Sequence, residues 1–168
     1  MRMKLFAGAA LAAALFASGQ AWSQDKDSQA FLKEAIEGNL AEVQMGQLAE
    51  KNSTSAAVKQ FGQMLVKDHG EANQKATAAA TALKVTPPTQ PNSKQKADYD
   101  RMAKMTGSQF DKEFAQHMVK DHQDDIKAYE KESSKNDQAG KYAKEALPTL
   151  RKHLQTAQSL GSSTTGSR

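Results

Sequence analysis

Four polar residues in this sequence have side chains that could bind a metal, and each lies on the apolar face of a different predicted helix. They are Glu42, His69, His122 and His153. Three neutral imidazoles and a carboxylate suit Zn, Fe, Cu or Ni. The residue types therefore predict a transition-metal site, provided that the helices bring these side chains to one height.

The distances of the four residues from the predicted turns support a common height. With turns near residues 52 and 135, Glu42 and His122 lie about 10 and 13 residues from a turn, and His69 and His153 about 17 and 18. At 1.5 Å per residue, all four fall within about 12 Å along the axis of a bundle. We therefore expect them to meet near its middle.

Two aspartates share a helix side with His122. Asp111 and Asp125 are candidates for further ligands, or for acceptors of hydrogen bonds from the outer ring N–H groups. The set departs from the di-iron pattern, which needs a Glu-x-x-His motif on two helices, because Val66 and Val119 stand at the required positions. Di-iron oxidase or peroxidase chemistry is accordingly the least favoured alternative, and we predict no catalytic residue.

The same residues also have an interpretation without a metal. Core histidines hydrogen-bonded to Glu42, Asp111 or Asp125 would fix the register of the helices, and the protein would then be a metal-free module for interaction or stress protection. His117 belongs to neither set, because it lies about 140° around its helix from His122. No Gly-rich phosphate loop or nucleophile motif is present, so no organic cofactor is expected.

The elements that would position these residues are helices. Apolar residues recur with helical spacing through most of the chain, and no window alternates like a strand. We predict helices at about residues 28–51, 55–84, 93–105, 108–133 and 136–160. Pro87 and Pro88 end the second, and Pro148 should kink the last. Four long helices and a short one in the crossover predict an all-α four-helix bundle.

Two helical segments repeat each other. Residues 61–69 (FGQMLVKDH) and 114–122 (FAQHMVKDH) agree at six of nine positions. Amphipathic spacing alone would explain the shared Phe and Val, but not Gln, Lys, Asp and His in register. The repeat indicates a duplicated or convergent functional segment.

The first 23 residues are typical of a secretory signal peptide. Arg2 and Lys4 precede an uncharged apolar run from Leu5 to Phe16, and small residues then permit cleavage after Ser23 or Ala21. The run is shorter than the roughly 20 apolar residues of a membrane-spanning helix. The sequence therefore predicts an exported bundle of residues 24–160, periplasmic or secreted, followed by a disordered tail of residues 161–168.

Charge and composition restrict the classes of partner that we expect for this protein. Loss of Arg2 and Lys4 with the signal peptide lowers the net charge from +4 to +2. Basic and acidic residues are interspersed, so a nucleic-acid interface is not expected. There is no cysteine, which excludes both a disulfide framework and a lipid-modified N-terminus. A protein partner is not identified, and a homo-oligomer is compatible with the sequence.

Several motifs resemble those of the bacterial domain-of-unknown-function family 4142, whose members are often labelled predicted outer-membrane proteins. They are GNLAEV at 38–43, MLVKDH at 64–69, Phe110-Asp111 with MVKDH at 118–122, and LPTLRKH at 147–153. The resemblance covers residues 29–160 and implies a ferritin-like bundle in an exported protein. It implies no activity, since the family has none assigned. The positions that match the family's recurrent polar residues are Glu42, His69, Asp111, His122 and His153.

The leading hypothesis is therefore a periplasmic ferritin-like bundle that binds a transition metal through Glu42, His69, His122 and His153, for sequestration or protection against stress.

Overall fold

The computed structural model describes the backbone of residues 16–165 and the side-chain surroundings of residues 26–162. Its helices are α1 (Phe16–Asn52), α2 (Ala56–Ala82), α3 (Ser93–Met102), α4 (Gly107–Glu132) and α5 (Gln138–Thr165). No strand occurs within this described backbone. The predicted all-α class and the number of helices are confirmed.

The ends of two helices differ from the sequence prediction. Helix α1 begins at Phe16, before the predicted start at Ser28, and α5 continues to Thr165, past the predicted end at Leu160. No proline interrupts either extension, and a helix that has already formed is extended at little cost. The structure thus places residues 161–165 of the predicted tail in α5. Residues 1–15 of the predicted signal peptide and residues 166–168 of the tail lie outside the described residues.

The four long helices form a bundle in which α1 and α5 each lie beside both α2 and α4. A turn at residues 53–55 joins α1 to α2, and a turn at residues 133–137 joins α4 to α5. The connection from α2 to α4 is longer and contains α3, which packs against α1. Within the described helices, none is long and apolar enough to cross a membrane.

The long connection returns the chain to the end of the bundle where α2 began. The Asn52 side chain at the end of α1 donates a hydrogen bond to the Met105 carbonyl at 2.8 Å. Toward the other end, Ser28 within α1 donates to Glu132 at 2.7 Å, which places this part of α1 beside the end of α4. Helices α2 and α4 therefore run parallel at opposite corners, and one long crossover joins the two hairpins.

Helices α1 and α2 cross closely at two glycines. A Cβ atom built on Gly46 would lie 2.5 Å from the Gly62 carbonyl oxygen, and one built on Gly62 would lie 2.6 Å from the Gly46 carbonyl oxygen. Any side chain at either position would push the backbones apart. The two helices can lie this close because both residues are glycine.

A polar layer divides the apolar core into two parts. One cluster contains Phe31, Tyr129 and Tyr142, and the other contains Phe61, Phe110 and Phe114. In each of the long helices α1, α2, α4 and α5, buried polar residues lie between the residues that belong to one cluster and those that belong to the other. These are Asn39, Glu42, His69, His122 and His153.

The glycine crossing gives a testable expectation. Gly46→Ala should lower the free energy of unfolding by about 1–3 kcal/mol, because the new methyl group meets backbone atoms that cannot move independently. Gly70→Ala is the matched control. A Cβ there meets nothing within 4 Å, so the helical preference of alanine should raise stability by about 0.5–1 kcal/mol. Urea denaturation of both variants measures this, and equal effects would contradict the close crossing.

Candidate metal centre

Three of the four predicted ligands meet in the polar layer. Potential ligand nitrogens of His69, His122 and His153 all lie within 4.8 Å of one another. The three side chains come from α2, α4 and α5, and they are 3%, 0% and 0% exposed. Their ring centroids are 5.2–5.7 Å apart. The imidazoles thus form one buried group, which we call the histidine triad.

The outer nitrogen of each imidazole has a hydrogen-bond acceptor. His122 Nδ1 lies 3.0 Å from the Met118 carbonyl oxygen, and His153 Nε2 lies 3.0 Å from a carboxylate oxygen of Asp68. Since a carbonyl and a carboxylate only accept hydrogen bonds, both nitrogens carry the proton. In each neutral ring, the other nitrogen is left with its lone pair.

His69 is fixed in the same way through an amide. Its Nδ1 lies 2.9 Å from Asn39 Oδ1, and Asn39 Nδ2 donates a hydrogen bond to the Tyr142 hydroxyl at 3.0 Å. The amide oxygen therefore faces the imidazole, and His69 Nδ1 is the donor. His69 Nε2 is buried and has no hydrogen-bond partner.

The inner nitrogens consequently face one another as lone pairs. They are His69 Nε2, His122 Nε2 and His153 Nδ1. The closest pair, His122 Nε2 and His153 Nδ1, is separated by 3.3 Å. No proton is available between neutral rings in these tautomers, so this contact lacks a donor.

Burial keeps the rings neutral. Desolvation, followed by the neighbouring His153, lowers the pKa of His122 to about 4. Desolvation, followed by His122 and His153, lowers the pKa of His69 well below its ordinary value. The pKa of His153 is also lowered by burial, although Asp68 opposes the shift. At neutral pH, three basic nitrogens without protons therefore share one buried space.

The fourth predicted ligand, Glu42, is not part of the triad. It is 2% exposed, and one carboxylate oxygen, Oε2, has no hydrogen-bond partner. Burial, followed by the carboxyl groups of Asp121 and Asp125, raises its pKa well above the ordinary value. Glu42 thus faces the acidic side of α4, where it lines a small cavity with Asp98, His117 and Asp121.

The two predicted outer aspartates do not hydrogen-bond the triad either. Asp111 is buried, and its Oδ1 atom has no partner. Asp125 is half-buried, and burial, followed by Asp121 and Asp124, raises its pKa to about 7. Neither aspartate belongs to the group of donor atoms that converge around His122.

Sequence reasoning missed the groups that orient the imidazoles. Asp68, Asn39 and the Met118 carbonyl take the places expected for Asp111 and Asp125. The repeated Lys-Asp-His motif contained a signal, because Asp68 directly precedes His69 and Asp121 directly precedes His122. Only Asp68 reaches a ring, and that ring belongs to His153, which is 85 residues away in the chain.

Fold and site together define an all-α four-helix bundle with a buried cluster of three histidines at its centre. The chain belongs to the family described as "Domain of unknown function (DUF4142)", whose family model matches residues 12–160. No curated protein and no solved structure matched the chain.

The pKa of His122 makes the stability of the metal-free protein depend on pH. Unfolded histidine takes up a proton near pH 6.5, whereas folded His122 does so only near pH 4. Between these values the unfolded state binds more protons, so this contribution to stability is lost as the pH falls. From pH 7 to pH 5 the loss amounts to about 2 kcal/mol.

Urea denaturation of the metal-free protein at pH 7 and pH 5 measures this, with His122→Gln as the comparison. The decrease in the free energy of unfolding should be smaller in the variant by about 2 kcal/mol. Groups that do not interact with His122, such as Asp125, contribute to both proteins and cancel. His69, whose pKa His122 lowers, changes the difference in the same direction. The same decrease in both proteins would show that His122 is not held neutral.

Proposed function

We propose that this protein binds one transition-metal ion through His69 Nε2, His122 Nε2 and His153 Nδ1. The observation that carries the proposal is the set of inner nitrogens, which are buried, unprotonated and without a donor. The biological role would be sequestration of the metal, or protection of the cell envelope against metal or oxidative stress.

The inner nitrogens of the triad are hydrogen-bond acceptors without a donor. A buried polar group without a partner costs about 1–3 kcal/mol, and here three acceptors lie against one another. A proton, a water molecule or a metal ion could satisfy these acceptors. Because burial lowers the pKa of all three histidines, protonation is unfavourable at neutral pH. A transition-metal cation, which neutral imidazole binds directly, is therefore favoured over a proton as the partner of these nitrogens.

The spacing of the nitrogens supports the same proposal. In a tetrahedral site with Zn–N bonds of about 2.0–2.1 Å, ligand nitrogens are about 3.4 Å apart. His122 Nε2 and His153 Nδ1 are already 3.3 Å apart. His69 lies within the 4.8 Å limit of the group and would close on the ion by a small ring movement.

The outer hydrogen bonds are those that metal-binding histidines use. A ligating imidazole commonly donates its second N–H to a carboxylate or a carbonyl, which fixes its tautomer and increases its basicity. Asp68 and the Met118 carbonyl act in this way on His153 and His122, and Asn39 supplies an amide oxygen to His69. All-nitrogen ligation suits Zn, Cu, Ni or Fe and disfavours Mg and Ca.

The proposal assigns Glu42 a place outside the metal's ligands, since its carboxyl group faces Asp121. Three protein ligands leave a fourth position open, as in catalytic zinc sites.

A ferritin-like assignment for the bundle is supported by its single long crossover, which ferritin-like folds share. Location in the periplasm rests on the signal-peptide pattern of residues 1–23 and is part of the proposal.

Metal titration tests the proposed function. Protein stripped with a chelator and titrated with Zn(II), Cu(II), Ni(II) and Fe(II) should bind one ion per chain with at least one of them, as measured by calorimetry and elemental analysis. Asp68→Asn should weaken the affinity by about 10- to 100-fold, because the carboxylate that orients the His153 ring is lost. His69→Gln and His122→Gln should weaken it further, because each removes a ligand.

The matched control is His117→Gln. His117 is half-buried on α4 and lies outside the triad, so its replacement should leave the affinity unchanged. Metal that binds equally well to wild type and to His69→Gln would place the site elsewhere. Wild-type protein that binds none of the four ions would support the metal-free alternative.

Export has a separate test. When the full chain is expressed in a bacterium that has a periplasm, mass spectrometry of the periplasmic fraction should find a protein that begins at Gln24 or Trp22, because small residues precede both positions. Replacing Arg2 and Lys4 with glutamate should retain the unprocessed chain in the cytoplasm. Intact Met1 on protein from the periplasm would contradict the cleavage.

A further inference from the structure

A surface depression between α2 and α5 leads toward the histidine triad. It has a volume of about 120 Å³, and beneath it a smaller cavity of about 20 Å³ touches His69 and His153. Both spaces are lined by Asp68, Ala72, Tyr142, Ala146 and Thr149. The two spaces are therefore adjacent, separated only by side chains that both share, and together they mark the shortest path from the surface to the triad, which we call the passage.

Small side chains keep this passage open. Ala72 on α2 and Ala146 on α5 line both spaces and are half-buried. The inner cavity has room for about one water molecule. An aqua cation could pass only after it has lost most of its water, and a chelated metal could not pass at all.

The outer end of the passage carries more negative than positive charge. Asp68, Glu71 and Glu145 line it together with one lysine, Lys75. Lys67 lies 3.6 Å from Asp68 and 3.7 Å from Glu71, but its side chain is 72% exposed, so it can turn into solvent. Such a mouth attracts cations, and salt weakens the attraction.

Asp68 connects the two ends of the passage. Its side chain is 21% exposed, and its Oδ2 atom lies 3.0 Å from His153 Nε2. Of the three carboxylates that line the outer depression, Asp68 is the one that also lines the inner cavity. A cation that reaches Asp68 is therefore one side chain away from His69 and His153.

We propose that this passage is the uptake route of the metal site, and that its substrate is a free aqua divalent cation received first by Asp68. The inference rests on the proposed function. The need to shed water in the narrow inner cavity also discriminates kinetically against Mg²⁺, which dehydrates reluctantly.

Stopped-flow uptake of Co(II), followed by the absorbance of the protein-bound ion, tests the route. Ala146→Leu should fill the gap between α2 and α5 and slow uptake at least tenfold. Ala41→Leu is the matched control, because Ala41 is also half-buried but lines the small cavity at Glu42, away from the triad. Its uptake rate should equal that of wild type.

A surface variant keeps the test decisive if Ala146→Leu does not fold. The double variant Glu71→Gln/Glu145→Gln should take up Co(II) several-fold more slowly at low salt and show a weaker dependence of the rate on ionic strength. Wild-type protein that binds Co(II), with uptake unchanged in the folded variants, would overturn the route and leave the proposed function standing. Wild-type protein that binds no metal would overturn both.

Discussion

Imidazole nitrogens placed in a helical core lose their hydrogen bonds to water, and each must find a replacement partner. In this bundle the outer nitrogens find theirs in Asp68, Asn39 and the Met118 carbonyl. Because these partners accept hydrogen bonds, they fix the protons of the three rings on the outside. The lone pairs are thereby turned inward, and the chemistry of the centre follows from that orientation.

The rest of the fold holds this orientation in place. The close crossing at Gly46 and Gly62 brings α1 against α2, and Asn39 of α1 lies within hydrogen-bond distance of His69 of α2. The parallel arrangement of α2 and α4, which the long crossover permits, places His69 and His122 at the same height. The two apolar clusters on either side bury the polar layer, and the low local dielectric strengthens the electrostatic interactions within it.

Much of this arrangement could be predicted from the sequence. Helical periodicity identified the five helices, and counting residues from the turns placed His69, His122 and His153 at a common depth. The same counting failed to place Glu42 beside them, because height along the axis does not determine which neighbouring helix a side chain faces. Glu42 faces α4 at Asp121, whereas Asn39, one turn earlier on α1, reaches His69. Asp68 escaped prediction because its partner lies on α5, and no local pattern records contacts between helices so distant in the chain.

The most direct test of the central claim is a crystal structure of the zinc-loaded protein with anomalous scattering recorded at the zinc edge. The account predicts one ion about 2.0–2.1 Å from His69 Nε2, His122 Nε2 and His153 Nδ1, with His153 Nε2 still bonded to Asp68. Zinc bound through His153 Nε2, or at Glu42 and His117 with the triad empty, would contradict it.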